Sequence, residues 1–173
     1  ASAQVKSGIL LAGLWANGET VVTEPEPTRD HSERMLRAFG YDVKTEGNRI
    51  SLQGGGKLIG TDIQVPSDIS SAAFFMVGAA ITEGSDITLE AVGINPTRTG
   101  VIEILKQMGA DLTVKNERIA GGEPIADIRI RGSRTLKGIH MPEDQVPLAI
   151  DEFPALFIAA ACAEGQTILT GAA

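Results

Sequence analysis

The residues best suited to chemistry at the start of the chain form the polar run SAQVKS, residues 2–7, which is followed after Gly8 by the apolar run ILLAGLW. Ser2 is a favoured N-cap residue because its hydroxyl accepts a hydrogen bond from an otherwise unpaired backbone N–H group. The pattern predicts a helix from about Ala3 to Ala16. Its N-terminus presents unpaired N–H groups and the positive end of the helix dipole, which suit a phosphate or carboxylate. An ordinary capped helix explains the same residues, so both interpretations stay open.

A second candidate is Arg29, which crowds with Asp30 and His31 into the first turn of a helix predicted to begin near Thr28. The helix dipole disfavours a cation at this end. Arg29 is therefore predicted either to pair with Asp30 or to bind an anion from outside, and a solvated charge cluster is the plainer alternative. His31 is expected to be a hydrogen-bonded structural residue.

Two other features are expected to be structural. The glycines at positions 54–56 form a loop with no helix start directly after it, which argues against a phosphate-binding loop. Cys162, the single cysteine, lies in an apolar stretch. A reactive thiol needs an electropositive and partly exposed setting, so Cys162 is expected to be an inert core residue.

The helices that carry these residues should pack through their apolar faces. The first has almost no polar face after its first turn and is predicted to be buried on nearly all sides. The second is amphipathic. Its predicted buried residues are Met35, Leu36 and Phe39, and its predicted exposed residues are Glu33, Arg34 and Arg37.

The order helix, strand, helix, strand, strand is predicted twice along the chain. Pro-Thr-Arg occurs at residues 27–29 and again at residues 96–98, and the helix-ending glycines at positions 40 and 109 have the same spacing. Strands are predicted over 62–65, before the second copy, and after the helix of a third copy that opens at Ile150 and Asp151. The fold class is therefore α/β (or α+β), built from repeats of about 70 residues, each long enough to be a small structural unit.

Composition limits the classes of partner. The net charge is −7 and the sequence pI is about 4.8. A chain without a basic patch is a poor ligand for nucleic acid, because phosphates are neutralised by clustered Lys and Arg. The apolar runs are shorter than the roughly 20 residues that a membrane-spanning helix needs. A soluble, cytoplasmic protein without nucleic-acid or membrane partners is expected.

Four motifs together resemble the 5-enolpyruvylshikimate-3-phosphate synthase family, in the bacterial branch often called class II. They are SAQVKS at 2–7, PTRDHSERML at 27–36, VPSDISSAAF at 65–74 and IDEFP at 150–154. The resemblance covers essentially the whole chain and implies two domains, each made of three βαβαββ units in an inside-out barrel. Residues 1–65 would then be the later part of the first domain and residues 66–173 the first part of the second, so the barrel would be incomplete.

The resemblance also implies an activity. Family members transfer the enolpyruvyl group of phosphoenolpyruvate to the 5-hydroxyl of shikimate 3-phosphate through a tetrahedral adduct, with release of phosphate and without a metal or cofactor. Ser2, the Ala3 backbone and Gln4 match the turn that holds the phosphate group of shikimate 3-phosphate. Gln4 also reaches phosphoenolpyruvate. Arg29 matches another shikimate 3-phosphate ligand. Asp151 matches the acid/base residue near the 5-hydroxyl, and it is expected to cap its helix as well.

Several charged motifs of the family are absent from these 173 residues, among them most of its active-site Lys and Arg side chains. The chain is therefore expected to be an internal piece of a longer enzyme and to be inactive alone. Two alternatives stay open. One is an enzyme like UDP-N-acetylglucosamine enolpyruvyl transferase, which shares fold and donor. The other is a non-catalytic piece that binds shikimate 3-phosphate weakly.

Overall fold

The computed structural model describes residues 2–132 and 135–171 of the 173-residue chain. The outer limits of the two predicted domains, at residues 1 and 173, lie outside the described residues. The described chain forms two compact units that divide between Val65 and Pro66, except that residues 120–123 belong to the first unit. The division falls at the predicted domain boundary. That the two units are parts of the family's first and second domains stays a prediction.

The first unit contains two helices and one three-stranded sheet. Its elements are α1 (Ala3–Gly13), β1 (Glu19–Thr23), α2 (His31–Ala38), β2 (Val43–Glu46) and β3 (Arg49–Gln53). The strand order is β1-β3-β2, and both pairings are antiparallel. The predicted hairpin of β2 and β3 is confirmed. The core lies between the helices and this sheet, and its buried residues are Leu10, Leu14, Leu36, Tyr41, Val43, Ile50 and Leu52.

The second unit repeats this plan and adds a further helix. Its elements are α3 (Ile69–Ile81), β4 (Asp86–Gly93), α4 (Gly100–Gln107), β5 (Asp111–Ala120), β6 (Glu123–Arg131) and α5 (Phe153–Ala161). The strand order is β4-β6-β5, so the last strand of the repeat lies in the middle of the sheet, as in the first unit. The predicted order helix, strand, helix, strand, strand is therefore confirmed in both copies.

Two of the predicted strands are wrong. Residues 62–65 form no strand, and only Ser67 pairs with Val92, in a single parallel bridge. After α5, Ile168 makes one parallel bridge to His140 instead of a strand. A strand exists only where a neighbour satisfies its backbone hydrogen bonds in a continuous ladder, and within the described residues these two segments have no such neighbour.

The prediction that α1 is buried on nearly all sides is also wrong for this chain. The helix ends at Gly13, not Ala16, and its buried face is narrow, because only one side packs on its own sheet. Trp15 is 81% exposed, and Val5 on α1 is exposed too. The exposed phenylalanines of α3 and α5 (Phe74, Phe75 and Phe157) show the same pattern. An apolar helix surface is buried only where neighbours exist to cover it.

Cys162 is exposed, so the expectation of a core cysteine is wrong. It follows the last residue of α5, at the C-cap, where the chain leaves the packed helix. In contrast, the glycine loop has the structural role that was expected. Gly55 N–H donates to the Leu14 carbonyl at 2.9 Å, and a Cβ at Gly54 would lie 2.1 Å from the Ala16 carbonyl oxygen. The loop thus closes the C-terminal end of α1.

Within residues 2–132 and 135–171, the structure contains no helix with both the length and the apolar character needed to cross a membrane.

Candidate functional site

The N-terminus of α1 has the geometry that the sequence predicts. Ser2 is the N-cap in an extended conformation, and its Oγ accepts a hydrogen bond from the Val5 N–H at 3.3 Å. Ser2 and Gln4 are exposed and Ala3 is half-buried. The first-turn amides therefore face an accessible surface, and α1 carries no acidic residue in this turn that would repel an anion.

Lys6, in the same polar run, is not part of that surface. Its side chain is only 2% exposed, and Nζ lies 2.7 Å from Glu33 Oε1 and 3.1 Å from Glu24 Oε2. Both carboxylates are buried as well. Glu33 was expected on the exposed side of α2, and that expectation is wrong: the buried ammonium of Lys6 draws it inward, since a buried charge must be paired.

Lys6, Glu24 and Glu33 form an ion cluster, the Lys6 cluster, which joins the two candidate motifs. Lys6 belongs to SAQVKS and Glu33 to PTRDHSE, and a second link runs from Ser32 Oγ to Ser7 Oγ at 2.7 Å. Thr28 Oγ1 donates to Glu24, which fixes the segment just before Arg29. Polar contacts therefore hold the first turns of α1 and α2 together. These contacts also fix the backbone that carries Ser2, Gln4 and Arg29.

Arg29 precedes α2, which begins at His31 and not near Thr28, and it is half-buried. Arg34 Nε donates a hydrogen bond to the carboxylate of Asp30 and lies 2.9 Å from each of its oxygens. This hydrogen bond to Asp30 raises the pKa of Arg34 against the opposing effect of its partial burial. His31 Nδ1 lies 2.7 Å from Glu123 Oε1, so its expected hydrogen-bonded structural role is confirmed.

On α2, the predicted burial of Leu36 is confirmed, whereas Met35 is exposed. Met35 was expected in the buried stripe. The helix is only eight residues long, and its buried residues are Glu33 and Leu36. The side chain of Glu33, with its contact to Lys6, therefore occupies part of the face that was expected to be apolar.

Asp151 lies in the second unit, in a 3₁₀ turn (Ile150–Glu152) directly before α5. Its side chain is 46% exposed, and Oδ2 lies 3.7 Å from Arg98 Nη2. The N-cap position of α5 is Glu152, so the expectation that Asp151 caps this helix is wrong. The carboxylate of Asp151 is therefore both accessible to solvent and paired with a cation.

Arg98 is the centre of a cluster that the sequence did not reveal. Its Nη2 lies 2.5 Å from Ser70 Oγ and 3.4 Å from Glu152 Oε1, and Ser70 Oγ in turn donates to Glu152 Oε1 at 2.5 Å. Arg98 Nη1 lies 3.9 Å from Asp68 Oδ1. The sequence signal for the cluster is the second Pro-Thr-Arg motif, which indicates a repeat but not these contacts.

Asp68 is the N-cap of α3 and accepts hydrogen bonds from the backbone N–H groups of Ser70 and Ser71, at 3.3 and 2.9 Å. Partial burial acts to raise the pKa of Asp68, but the hydrogen bonds from Ser71 and Ser70 and the charge of Arg98 outweigh it and hold the pKa below its usual value. Asp68 is therefore an anion at neutral pH and adds to the negative charge around Arg98.

The structure thus brings some predicted residues together. Ser2, Ala3, Gln4 and Arg29 belong to the first unit, where polar contacts join the two segments that carry them, and Asp151 belongs to the second. Among residues 2–132 and 135–171, no group of three or more His, Cys, Asp or Glu side chains is arranged to hold a metal ion.

Comparison with known proteins identifies the family. A family model described as EPSP synthase (3-phosphoshikimate 1-carboxyvinyltransferase) matches residues 1–173, the whole chain. The chain belongs to the EPSP synthase family. The resemblance stated from the four motifs is confirmed, and so is the mixed helix and sheet fold.

Similar proteins agree with this family. The chain is 69% identical over 172 residues to the 3-phosphoshikimate 1-carboxyvinyltransferases of Alkalilimnicola ehrlichii and of Methylococcus capsulatus, and it covers 38% and 39% of their lengths. Two solved structures of EPSP synthase from Acinetobacter baumannii are each 92% identical to it, with TM-scores of 0.95 and 0.96. The match covers 99% of this chain but only 39% and 38% of those two chains.

The chain therefore spans about two fifths of the length of the EPSP synthases it matches. Its own fold follows theirs closely, with TM-scores of 0.95 and 0.96. The roles of individual residues in this segment have to be argued from its geometry.

Proposed function

We propose that this chain is part of an enzyme that transfers the enolpyruvyl group of phosphoenolpyruvate to the 5-hydroxyl of shikimate 3-phosphate and releases phosphate. The observation that carries the proposal is the family match over all 173 residues. The geometry of α1 supports it, because a capped, exposed helix N-terminus without acidic residues favours a phosphate group.

Within this proposal, the first unit binds the phosphate of shikimate 3-phosphate. Ser2, the Ala3 backbone N–H and the amide of Gln4 donate hydrogen bonds to its oxygens, and Arg29 adds a charge-assisted pair of bonds. Gln4 also contacts phosphoenolpyruvate. The Lys6 cluster keeps these donors in place before the substrate arrives, which lowers the entropic cost of binding.

Asp151 is the proposed acid/base residue at the 5-hydroxyl. Its exposed carboxylate can accept the hydroxyl proton as the oxygen bonds to C2 of phosphoenolpyruvate and C3 takes up a proton, which gives the tetrahedral adduct. Loss of one C3 proton then expels phosphate and re-forms the double bond. Arg98 Nη2 lies 3.7 Å from Asp151 Oδ2, so the proposed base has a cation beside it.

We expect the 173-residue chain alone to show no enolpyruvyl transfer, because it spans about two fifths of the matched enzymes. The measurement is release of phosphate from phosphoenolpyruvate in the presence of shikimate 3-phosphate, with circular dichroism as the control for folding. Turnover by the folded chain would contradict this prediction.

The proposal itself is tested in a segment-exchanged enzyme. This is Acinetobacter baumannii EPSP synthase in which the matching segment is replaced by the present chain, an exchange that the 92% identity makes conservative. We expect phosphate release that depends on shikimate 3-phosphate, at a rate close to that of the unmodified enzyme. A folded segment-exchanged enzyme that binds neither substrate would overturn the proposed function.

A further inference from the structure

We infer that Arg98 is a positioning residue for Asp151, and that it does for the second unit what the Lys6 cluster does for the first: it fixes a functional side chain before substrate binds. The inference rests on the proposed acid/base role of Asp151. It starts from the repeated Pro-Thr-Arg motif, in which Arg98 occupies the position of Arg29.

The turn that carries Arg98 is rigid. Residues Pro96–Arg98 form a 3₁₀ turn, and the buried side chain of Asn95 accepts hydrogen bonds from Thr97 N–H at 3.0 Å and from Thr97 Oγ1 at 2.8 Å. Proline at the start of the turn fixes one more backbone dihedral. Arg98 therefore projects from a backbone whose conformation is set locally.

The guanidinium connects two segments of the second unit. Toward the N-terminus of α3 it contacts Ser70 at 2.5 Å, and toward the turn before α5 it reaches Glu152 at 3.4 Å and Asp151 at 3.7 Å. A planar guanidinium can serve several oxygens at once in fixed directions, which an ammonium cannot do. Arg98 thus sets the distance between α3 and the turn that carries Asp151.

Burial shows which contact anchors the cluster and which is available to act. Glu152 is 2% exposed and Arg98 is 17% exposed, whereas Asp151 is 46% exposed. A buried carboxylate requires a paired cation and hydrogen bonds, and Glu152 obtains them from Arg98 and Ser70. The contacts with Ser70 and the buried Glu152 hold Arg98 in place. Arg98 can then orient the more exposed carboxylate of Asp151.

In the first unit, Lys6, Glu24 and Glu33 form the polar contacts that join the helices. Arg29, at the same motif position as Arg98, is the proposed ligand of a substrate anion. One motif position therefore serves two purposes in the two repeats: recognition of a substrate anion in the first and orientation of a proton-transferring carboxylate in the second.

The test uses the segment-exchanged enzyme with Arg98→Met. We expect kcat to fall about 10- to 100-fold, the cost of misplacing a reacting group by about 1 Å, while the Kd for shikimate 3-phosphate stays within about twofold because its proposed phosphate ligands lie on other elements. The matched control is Arg129→Met, which removes an exposed pair with Asp86 from the same unit and should leave kcat unchanged.

A double-mutant cycle separates positioning from a merely structural role. If Arg98 acts through Asp151, Arg98→Met should lower kcat no further in an Asp151→Asn background. An equal fall in both backgrounds, or an Arg98→Met enzyme as active as the Arg129→Met enzyme, would overturn the inference. Full activity of Asp151→Asn would instead count against the proposed role of Asp151, and with it against positioning by Arg98.

Arg98→Lys keeps the inference testable if Arg98→Met does not fold. Lysine retains a cation beside the buried Glu152 but cannot make the forked contacts to Ser70 and Asp151 together. We expect a folded enzyme with kcat about tenfold below the unmodified one and an unchanged Kd for shikimate 3-phosphate. Full kcat in Arg98→Lys would show that guanidinium geometry is unnecessary and would overturn the inference.

Discussion

Asp151→Asn in the segment-exchanged enzyme should lower kcat by about 10²- to 10⁴-fold, the range typical of a positioned acid or base. Asparagine has nearly the same shape but cannot take up the hydroxyl proton. Since Asp151 is 46% exposed and does not cap α5, the substitution should not change the folding of the second unit. The measurement is the steady-state rate of phosphate release at saturating substrates.

Two controls make the Asp151→Asn result specific. The first is Asp144→Asn, an exposed carboxylate in another 3₁₀ turn of the same unit, which should leave kcat unchanged. The second is the Kd for shikimate 3-phosphate, which should stay nearly constant because the affected step is proton transfer. A fall in kcat no greater than that of Asp144→Asn would exclude Asp151 as the acid/base residue.

Lys6→Met should destabilise the first unit by about 3 to 5 kcal/mol, the usual cost of removing one partner from a buried ion pair. The loss leaves Glu24 and Glu33 buried without their cation. Glu33 Oε2 accepts no hydrogen bond from the described part of the chain, so Glu33 depends on Lys6 to an unusual degree. The midpoint of urea unfolding of the segment-exchanged enzyme measures the effect.

The matched control for Lys6→Met is Lys106→Met. Lys106 pairs with Glu103 at 3.0 Å, but both side chains are well exposed, and such surface pairs contribute only about 0 to 1 kcal/mol. We also expect Lys6→Met to weaken binding of shikimate 3-phosphate, because the first turns of α1 and α2 lose their shared anchor. Equal urea midpoints for the two variants would contradict the assigned role of the Lys6 cluster.

The repeated order of elements could be predicted from the sequence because it depends on local patterns. The Ser2 cap, the hairpin of β2 and β3 and the glycine ends of α2 and α4 follow from short-range propensity and hydrophobic period. The absence of a strand at residues 62–65 could not be predicted in the same way. A strand depends on a distant partner, and a local apolar pattern carries no information about that partner.

Burial was predicted less well, for a related reason. Glu33 and Lys6 have polar side chains, and a pattern that sorts residues by polarity places both in solvent. Their burial depends on each other, across segments that are far apart in sequence. The exposure of Trp15 and Cys162 has the opposite cause: their apolar surroundings predict burial, but the described chain provides no element to cover them.

The residues of the candidate site also differ in how well the sequence predicts them. Ser2, Gln4, Arg29 and Asp151 could be named because they belong to recognisable motifs, and their roles stay predictions. The residues that hold them in place, Lys6 and Arg98, became apparent only from distances. Positioning residues act through contacts between segments, and a motif does not show those contacts.

Calorimetric titration of the segment-exchanged enzyme carrying Arg29→Met tests whether this segment binds the phosphate of shikimate 3-phosphate. Loss of a charge-assisted hydrogen-bond pair should raise the Kd for shikimate 3-phosphate about 10- to 100-fold, since such bonds contribute about 1.5 to 3 kcal/mol. Arg49→Met, which removes an exposed arginine of the same unit, is the control and should leave the Kd unchanged. A Kd equal to that of the control would contradict phosphate binding by this segment.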